Sequence, residues 1–378
     1  MKLPFFILAL LLLSSCNPTS SSSNFGKSTE AKVVVSEPTS TVIVTSTAEP
    51  KIDNRIFDFA LSPDGENLAI YVNTGVYVYN VKTLEFIKFE EFGSKKHPSD
   101  FDPMHSSGAI AFDPTGTELA ISGTLSDQVI TIWNWKTQTY LKYVSDFPNG
   151  NYVTELEYSP DGNALLVRSV YPMSMLRCET PEDTLTLVSL IPQGIFQIKK
   201  LFEVQSCNYS PIEFHFTDSN ELFFTQQTEL HDYWIYNVDV HSGDILQFSE
   251  YIGNTNTNGI IYDISQNGKV FAVSKYSTEE HLSRTKLLDS NTKNILASIN
   301  GQVILLQDET LFLVYTWNNQ WQLWKGNEAV CGFQGLNIAP YYWKVSRNKN
   351  VAAVSISDNS IQIWDIPNCK LINTVLGN

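Results

Sequence analysis

From about residue 51 onward, short runs of alternating apolar and polar side chains are interrupted at regular intervals by clusters of turn residues. Phe57-Asp58-Phe59-Ala60-Leu61 stands before Ser62-Pro63-Asp64-Gly65, and Leu68-Ala69-Ile70-Tyr71-Val72 stands after it. Gly and Asn between two such runs mark strand, turn and strand, since both tolerate the backbone angles of a tight reversal. The arrangement recurs at Asp113-Pro114-Thr115-Gly116, Ser159-Pro160-Asp161-Gly162, Thr217-Asp218-Ser219-Asn220, Ser265-Gln266-Asn267-Gly268, Gln307-Asp308-Glu309 and Ser346-Arg347-Asn348-Lys349. Each pair is followed by a third apolar run: Val76-Tyr77-Val78-Tyr79-Asn80, Val129 to Asn134, Leu185 to Val188, Tyr233 to Tyr236, Thr285 to Asp289, Trp321 to Trp324 and Ile361-Gln362-Ile363-Trp364-Asp365. A fourth run comes after one more tight turn, as in Leu84 to Ile87 and Lys370 to Val375. Seven units between residues 51 and 378 give about 47 residues apiece.

That period suits a four-stranded blade and not a helical repeat, so the predicted fold is all-β, a seven-bladed β-propeller of four-stranded antiparallel blades. Eight blades would result if valine clusters near the N-terminus pair with the domain, and six if the weak sixth unit is not a blade; seven is the expectation. Trp364-Asp365 and Trp133-Asn134, each ending a third run, resemble the dipeptide of WD40 repeats, and the Ser-Pro-Asp-Gly turns resemble those of WD40 and TolB-type propellers. The resemblance covers all seven units. It departs from WD40 proteins in having no Gly-His dipeptide and only one intact Trp-Asp pair, so the Asp-His-Ser/Thr-Trp network of that family is not expected here.

Residues 1–15 read as an address. Lys2 precedes an apolar stretch from Phe5 to Leu13, which is too short for the roughly 20 residues that a membrane-spanning helix needs. Leu13-Ser14-Ser15-Cys16 resembles the lipobox of bacterial lipoproteins, which implies cleavage before Cys16, a diacylglycerol on its thiol, and a place in the bacterial cell envelope, at the outer membrane or cell surface. Several acyl chains together hold a protein firmly where one holds it marginally. Asn17 differs from the Asp that resembles an inner-membrane retention signal. Residues 16–50 form a spacer: from Asn17 to Pro50, 14 of 34 residues are Ser or Thr. As a flexible coil it would reach roughly 30 Å. The clusters Val33-Val34-Val35 and Val42-Ile43-Val44 either belong to that coil or add a strand to the domain. The domain itself is residues 51–378.

In a four-stranded blade the first-to-second and third-to-fourth connections open on one face, and they are uniformly tight here. The other connections hold the long insertions: Phe92 to Gly108, Tyr171 to Asp183, Gln205 to Pro211, Gly253 to Gly259 and Lys275 to Ser283. Long loops on a rigid scaffold carry recognition, although lengthening a loop also costs little. Tyr171, Tyr209, Tyr233, Trp234 and Tyr251 are the binding candidates on that side, because large amphipathic rings anchor protein interfaces. Of the five cysteines, Cys16 takes the lipid, and Cys178 and Cys207 fall together on the long-loop face, where a disulfide is expected. Closing that loop would stabilise by roughly 3 kcal/mol on the chain-entropy estimate. Cys331 and Cys369 fall on or near fourth strands of neighbouring units and are expected as free buried thiols.

Charge then narrows the function. With 25 Lys and Arg against 40 Asp and Glu, the formal net charge is −15, and no basic run exceeds a Lys pair, which argues against nucleic-acid partners. No nucleophile elbow, zinc-protease helix or calcium loop occurs. His97 and His105 beside Asp100 and Asp102 are the one cluster with metal-binding chemistry, and a solvated loop is the expected reading; no metal or cofactor is implied. The expected protein is a lipid-anchored, extracytoplasmic, monomeric and non-catalytic scaffold that binds a protein or peptide through its long-loop face. The alternative is a glycan-binding protein or hydrolase that uses the central funnel. Convergent carboxylates there would favour the alternative; mixed polarity would favour the scaffold.

Overall fold

All seven third runs read from the sequence are strands in the computed structural model, which describes residues 29–30, 56–72, 75–89, 108–122, 130–144, 152–170, 183–190, 196–204, 214–218, 221–227, 232–240, 242, 244–254, 260–277, 282–306, 310–316, 318–337, 343–356 and 360–375. A two-residue strand, β1 (Thr29–Glu30), precedes seven consecutive units. Blade 1 is β2 (Ile56–Leu61), β3 (Asn67–Val72), β4 (Gly75–Asn80) and β5 (Phe86–Phe89). Blade 2 is β6 (Ile110–Phe112), β7 (Glu118–Ser122), β8 (Ile130–Asn134) and β9 (Thr139–Val144). Blade 3 is β10 (Tyr152–Tyr158), β11 (Ala164–Val170), β12 (Asp183–Leu190) and β13 (Phe196–Val204); blade 4 is β14 (Phe214–Phe216), β15 (Glu221–Gln227), β16 (Asp232–Asp239) and β17 (Ile245–Asn254). Blade 5 is β18 (Ile260–Ile264), β19 (Val270–Ser277), β20 (Leu282–Asp289) and β21 (Ile295–Asn300); blade 6 is β22 (Gln302–Leu305), β23 (Leu311–Tyr315), β24 (Trp321–Lys325) and β25 (Glu328–Gly332). Blade 7 is β26 (Trp343–Val345), β27 (Val351–Ser355), β28 (Ile361–Asp365) and β29 (Lys370–Val375). Each is an antiparallel meander of consecutive strands. The protein is a seven-bladed β-propeller.

Its core is seven apolar slabs, one between each pair of neighbouring blades. Side chains of a strand alternate between the two faces of its sheet, so a middle strand feeds two slabs at once. On β3, Leu68, Ile70 and Val72 pack with Ala353, Ile361 and Ile363 of blade 7, while Ala69 and Tyr71 pack with Ile110 and Leu119 of blade 2. On β11, Leu165 and Val167 face blade 2 and Ala164 and Leu166 face blade 4. Burial on both faces is why these strands read as near-continuous apolar runs. Trp133 is fully buried and stacks on Phe89 with ring centroids 4.4 Å apart, filling the slab between blades 1 and 2. The slab between blades 7 and 1 closes the ring, and hydrogen bonds reinforce it. The Asn348 side chain donates to the Asp64 carbonyl (2.6 Å), and the Asn373 side chain donates to the Val81 carbonyl (2.7 Å). Gly65, at φ +74°, sits at this seam where a Cβ would stand 2.9 Å from Val351, so both its turn and its neighbour require glycine.

Turn chemistry explains the repeated residues. The Ser62 hydroxyl donates to Asp64 (2.6 Å) and accepts the Asn67 amide (2.9 Å); Ser159 with Asp161, Ser265 with Asn267 and Ser346 with Asn348 repeat this. The Asp or Asn ending a third strand caps the next turn. Asp365 accepts the Asn368 amide, as Asn80 accepts that of Thr83 and Asp289 that of Thr292. The Asp of the single Trp-Asp pair is therefore a turn cap in this protein.

Two features differ from expectation. Strand β1 pairs antiparallel with β13, Thr29 opposite Ile198 and Glu30 opposite Gln197, and gives blade 3 a fifth strand within the expected spacer. The valine clusters lie outside the described residues, as does residue Cys16. Cys331 and Cys369 are not free thiols: they form a disulfide with Cα atoms 6.0 Å apart. Cys331 is on the outer strand of blade 6 and Cys369 is in the tight turn before the outer strand of blade 7. Packing of neighbouring blades brings the two rims within bridging distance, which a separation of 38 residues along the chain does not reveal. Replacing Cys369 by Ser should lower unfolding free energy by about 4 kcal/mol on the chain-entropy estimate. Urea unfolding of wild type with and without reductant checks this; equal midpoints would show that the bridge adds nothing.

Candidate functional site

The first strand of each blade lines the central channel, and charged residues interrupt these strands where the blade cores do not need them. Glu157, His215, Asp263 and Lys344 each stand two residues before the turn of their blade, so blades 3, 4, 5 and 7 present titratable side chains at one level. Asp58 and Glu155 stand four residues before theirs, one level nearer the long-loop face. Ala60, Ala111 and Ile304 occupy the first level on the remaining blades.

Three of the carboxylates act as clasps between blades. Asp58 accepts the amide of Phe59 (2.8 Å) and, from blade 2, the amide of Ile110 (3.0 Å). Asp263 repeats the motif, accepting Ile264 (2.8 Å) and, from blade 6, Leu305 (2.6 Å). Glu157 accepts the amide of Phe216 in blade 4. First strands of neighbouring blades share no ladder, and these carboxylates supply acceptors for amides that would otherwise lack them. A hydrogen bond to a charged acceptor is worth about 1.5–3 kcal/mol. The bases are interleaved: His215 Nε2 lies 3.4 Å from Asp263, Lys344 Nζ 3.9 Å from Asp58, and Arg168 3.4 Å from Glu155. Side chains of Asp58 and Asp263 are 16% and 10% exposed, against 42% for His215, 43% for Glu155 and 48% for Lys344. The acids thus form the wall, and the more open groups are mixed in sign.

Burial pushes the Asp58 carboxyl above its ordinary value, opposed by Lys344 and by the two amides and assisted by Glu155. Burial likewise raises Glu157 and Asp263, both opposed by His215. Burial lowers Lys349 of the blade 7 turn, against the pull of Asp263, Glu157 and Asp218. Among the described residues, no group of three or more His, Cys, Asp or Glu side chains could hold a metal ion.

Of the residues singled out from the sequence, Tyr233, Trp234 and Tyr251 fall in described strands, and none of the three is on a first strand. Tyr171, Tyr209, Cys178, Cys207, His97, His105, Asp100 and Asp102 lie outside the described residues. Tyr233 and Trp234 are near the start of β16; Tyr233 pairs with Gly253 of β17, and Trp234 and Tyr251 both fall within the register slip that follows, before Ile235 pairs with Ser249. The structure therefore brings these three positions together at the long-loop end of blade 4. Sequence reading missed the channel set, although a visible signal existed: charges at fixed offsets before successive turns, inside otherwise apolar runs.

The chain is similar in fold to WD40-type propellers. It superposes on a chain of the crystal structure of the mitotic checkpoint complex with a TM-score of 0.54 at 12% identity, covering 96% of this chain and 99% of that one. It superposes on the computationally designed Ika8 protein with a TM-score of 0.52 at 16% identity, covering 86% and 88%. No family model matches the sequence, and neither does any curated protein. At these identities the likeness is one of fold.

A raised folded-state value for Asp58 means that folding favours its protonated form. The stability this contributes is present below the unfolded value of 3.8 and is lost as pH rises through the folded value. Asp58→Asn cannot titrate, so its stability relative to wild type should climb between pH 4 and pH 7 in urea titrations. A relative stability that falls over that interval would show that Lys344 and the two amides outweigh burial.

Proposed function

We propose that this protein is a membrane-anchored, extracytoplasmic and non-catalytic platform that binds a protein or peptide through the long-loop face of its propeller. The observation that carries the reading is the use made of the channel carboxylates. Asp58, Glu157 and Asp263 accept backbone amides between blades, and cations stand beside them, so the acids that converge on the axis serve the ring. Recognition then falls to the faces, where Tyr233, Trp234 and Tyr251 share one end of blade 4. A rigid ring fixes the points from which loops leave the blades, which lowers the ordering cost of binding. The mitotic checkpoint complex contains a chain of similar fold.

Two features support the location. Leu13-Ser14-Ser15-Cys16 resembles a lipobox, and the disulfide between Cys331 and Cys369 fits an oxidising compartment, since such bonds persist outside the cytosol. A second reading, a funnel that binds glycan or hydrolyses it, draws on the partly exposed Glu155 and His215.

Cys16→Ala should move the protein from the membrane fraction to the soluble fraction; continued sedimentation with membranes refutes the anchor. Proximity cross-linking on intact cells should identify a partner whose recovery falls on the order of tenfold when Tyr233, Trp234 and Tyr251 are changed to Ala, as hot-spot aromatics do. Glu155→Gln and His215→Ala should leave recovery unchanged. The reverse pattern would shift the function to the channel.

A further inference from the structure

The turn of blade 7 is unlike the others. Gly65, Gly116, Gly162 and Gly268 end the corresponding turns of blades 1, 2, 3 and 5 at φ between +69° and +74°. Blade 7 keeps the conformation but places Lys349 there, at φ +59°, with the same closing hydrogen bond from its amide to the Ser346 carbonyl (2.8 Å). A side chain at positive φ is strained relative to glycine, and such strain persists where other interactions hold it. Arg347, in the place that Pro63, Pro114 and Pro160 occupy in blades 1 to 3, shows what those interactions are. One guanidinium nitrogen donates to the Pro160 carbonyl of blade 3 (3.3 Å) and the other to Asp218 of blade 4 (3.3 Å). In a seven-membered ring, blades 3 and 4 are the two farthest from blade 7, so Arg347 reaches across the axis. Asp218 is held for it by Gln266 of blade 5, whose side chain donates to the same oxygen (2.6 Å). The half-buried Lys349 amine is drawn toward Asp263, Glu157 and Asp218, from blades 5, 3 and 4.

We infer that the turn from Ser346 to Lys349 is a brace across the tight-turn mouth of the channel. It ties blade 7 to the opposite half of the ring and leaves the long-loop mouth as the route by which a solute enters. Among the described residues the four strands from axis to rim of each blade are consecutive and none is shared between blades 7 and 1, so a tie across the axis holds together what the slab between these two blades holds from the side. The inference needs neither the lipid nor the partner proposed above and stands if both fail.

Lys349→Gly distinguishes the brace from a merely ill-placed residue by sign. Glycine is the residue of four equivalent turns, so the variant should fold, and relief of strain alone would raise its melting temperature. A brace requires the melting temperature to fall, and a rise overturns the tying role. The second measurement is the rate at which Glu157 and Asp263 in full-length protein are modified by a water-soluble carbodiimide with glycine amide, followed by peptide mass spectrometry. Opening the mouth in Arg347→Ala with Lys349→Gly should speed modification by on the order of tenfold or more, since each charge-assisted tie lost is worth about a factor of ten. Unchanged modification overturns the closure whatever the melting temperature.

Discussion

A four-stranded sheet with apolar side chains on both faces cannot satisfy itself. Buried on one side by a neighbour, it still presents Leu, Ile, Val and aromatic side chains on the other, and burial of one such side chain is worth about 1.5–3 kcal/mol. Each blade here therefore needs two neighbours. Adding blades to one end of a row moves the exposed face along without removing it, and only a ring leaves none. The slab in which Leu68, Ile70 and Tyr79 of blade 1 meet Ala353, Ile361 and Ile363 of blade 7 is the one that completes the set.

Closing the ring creates a second environment with the opposite requirement. First strands converge on the axis without pairing to each other, so their outward amides need acceptors that no ladder supplies. Asp58, Glu157 and Asp263 meet that need and bring carboxylates into a narrow space; Lys344, Arg347 and Lys349 offset them, and His215 stands beside Asp263. The polar axis is thus a consequence of the apolar slabs.

The rim is fastened differently from the axis. The disulfide between Cys331 and Cys369 joins blades 6 and 7 at their outer edge, and β1 lies along the outer strand of blade 3. Blade 7 thereby has a covalent tie at its periphery, hydrogen bonds to blade 1 at the seam, and charged ties across the channel.

Much of this was legible along the chain. Turn clusters, alternating runs and their period specified seven blades and the places of the third strands, though not their full lengths, because strand and turn formation obey local rules of side-chain alternation and backbone angle. The caps at Ser62, Asn80 and Asp365 follow from residues within a few positions of each other. What the chain could not disclose is what meets at the axis and at the rim. Asp58 and Ile110, Asp218 and Arg347, Cys331 and Cys369 are each brought together by rigid stacking of blades. The angle and offset of that stacking are set by how side chains interlock across seven slabs, a sum over the whole ring that no single stretch of residues contains.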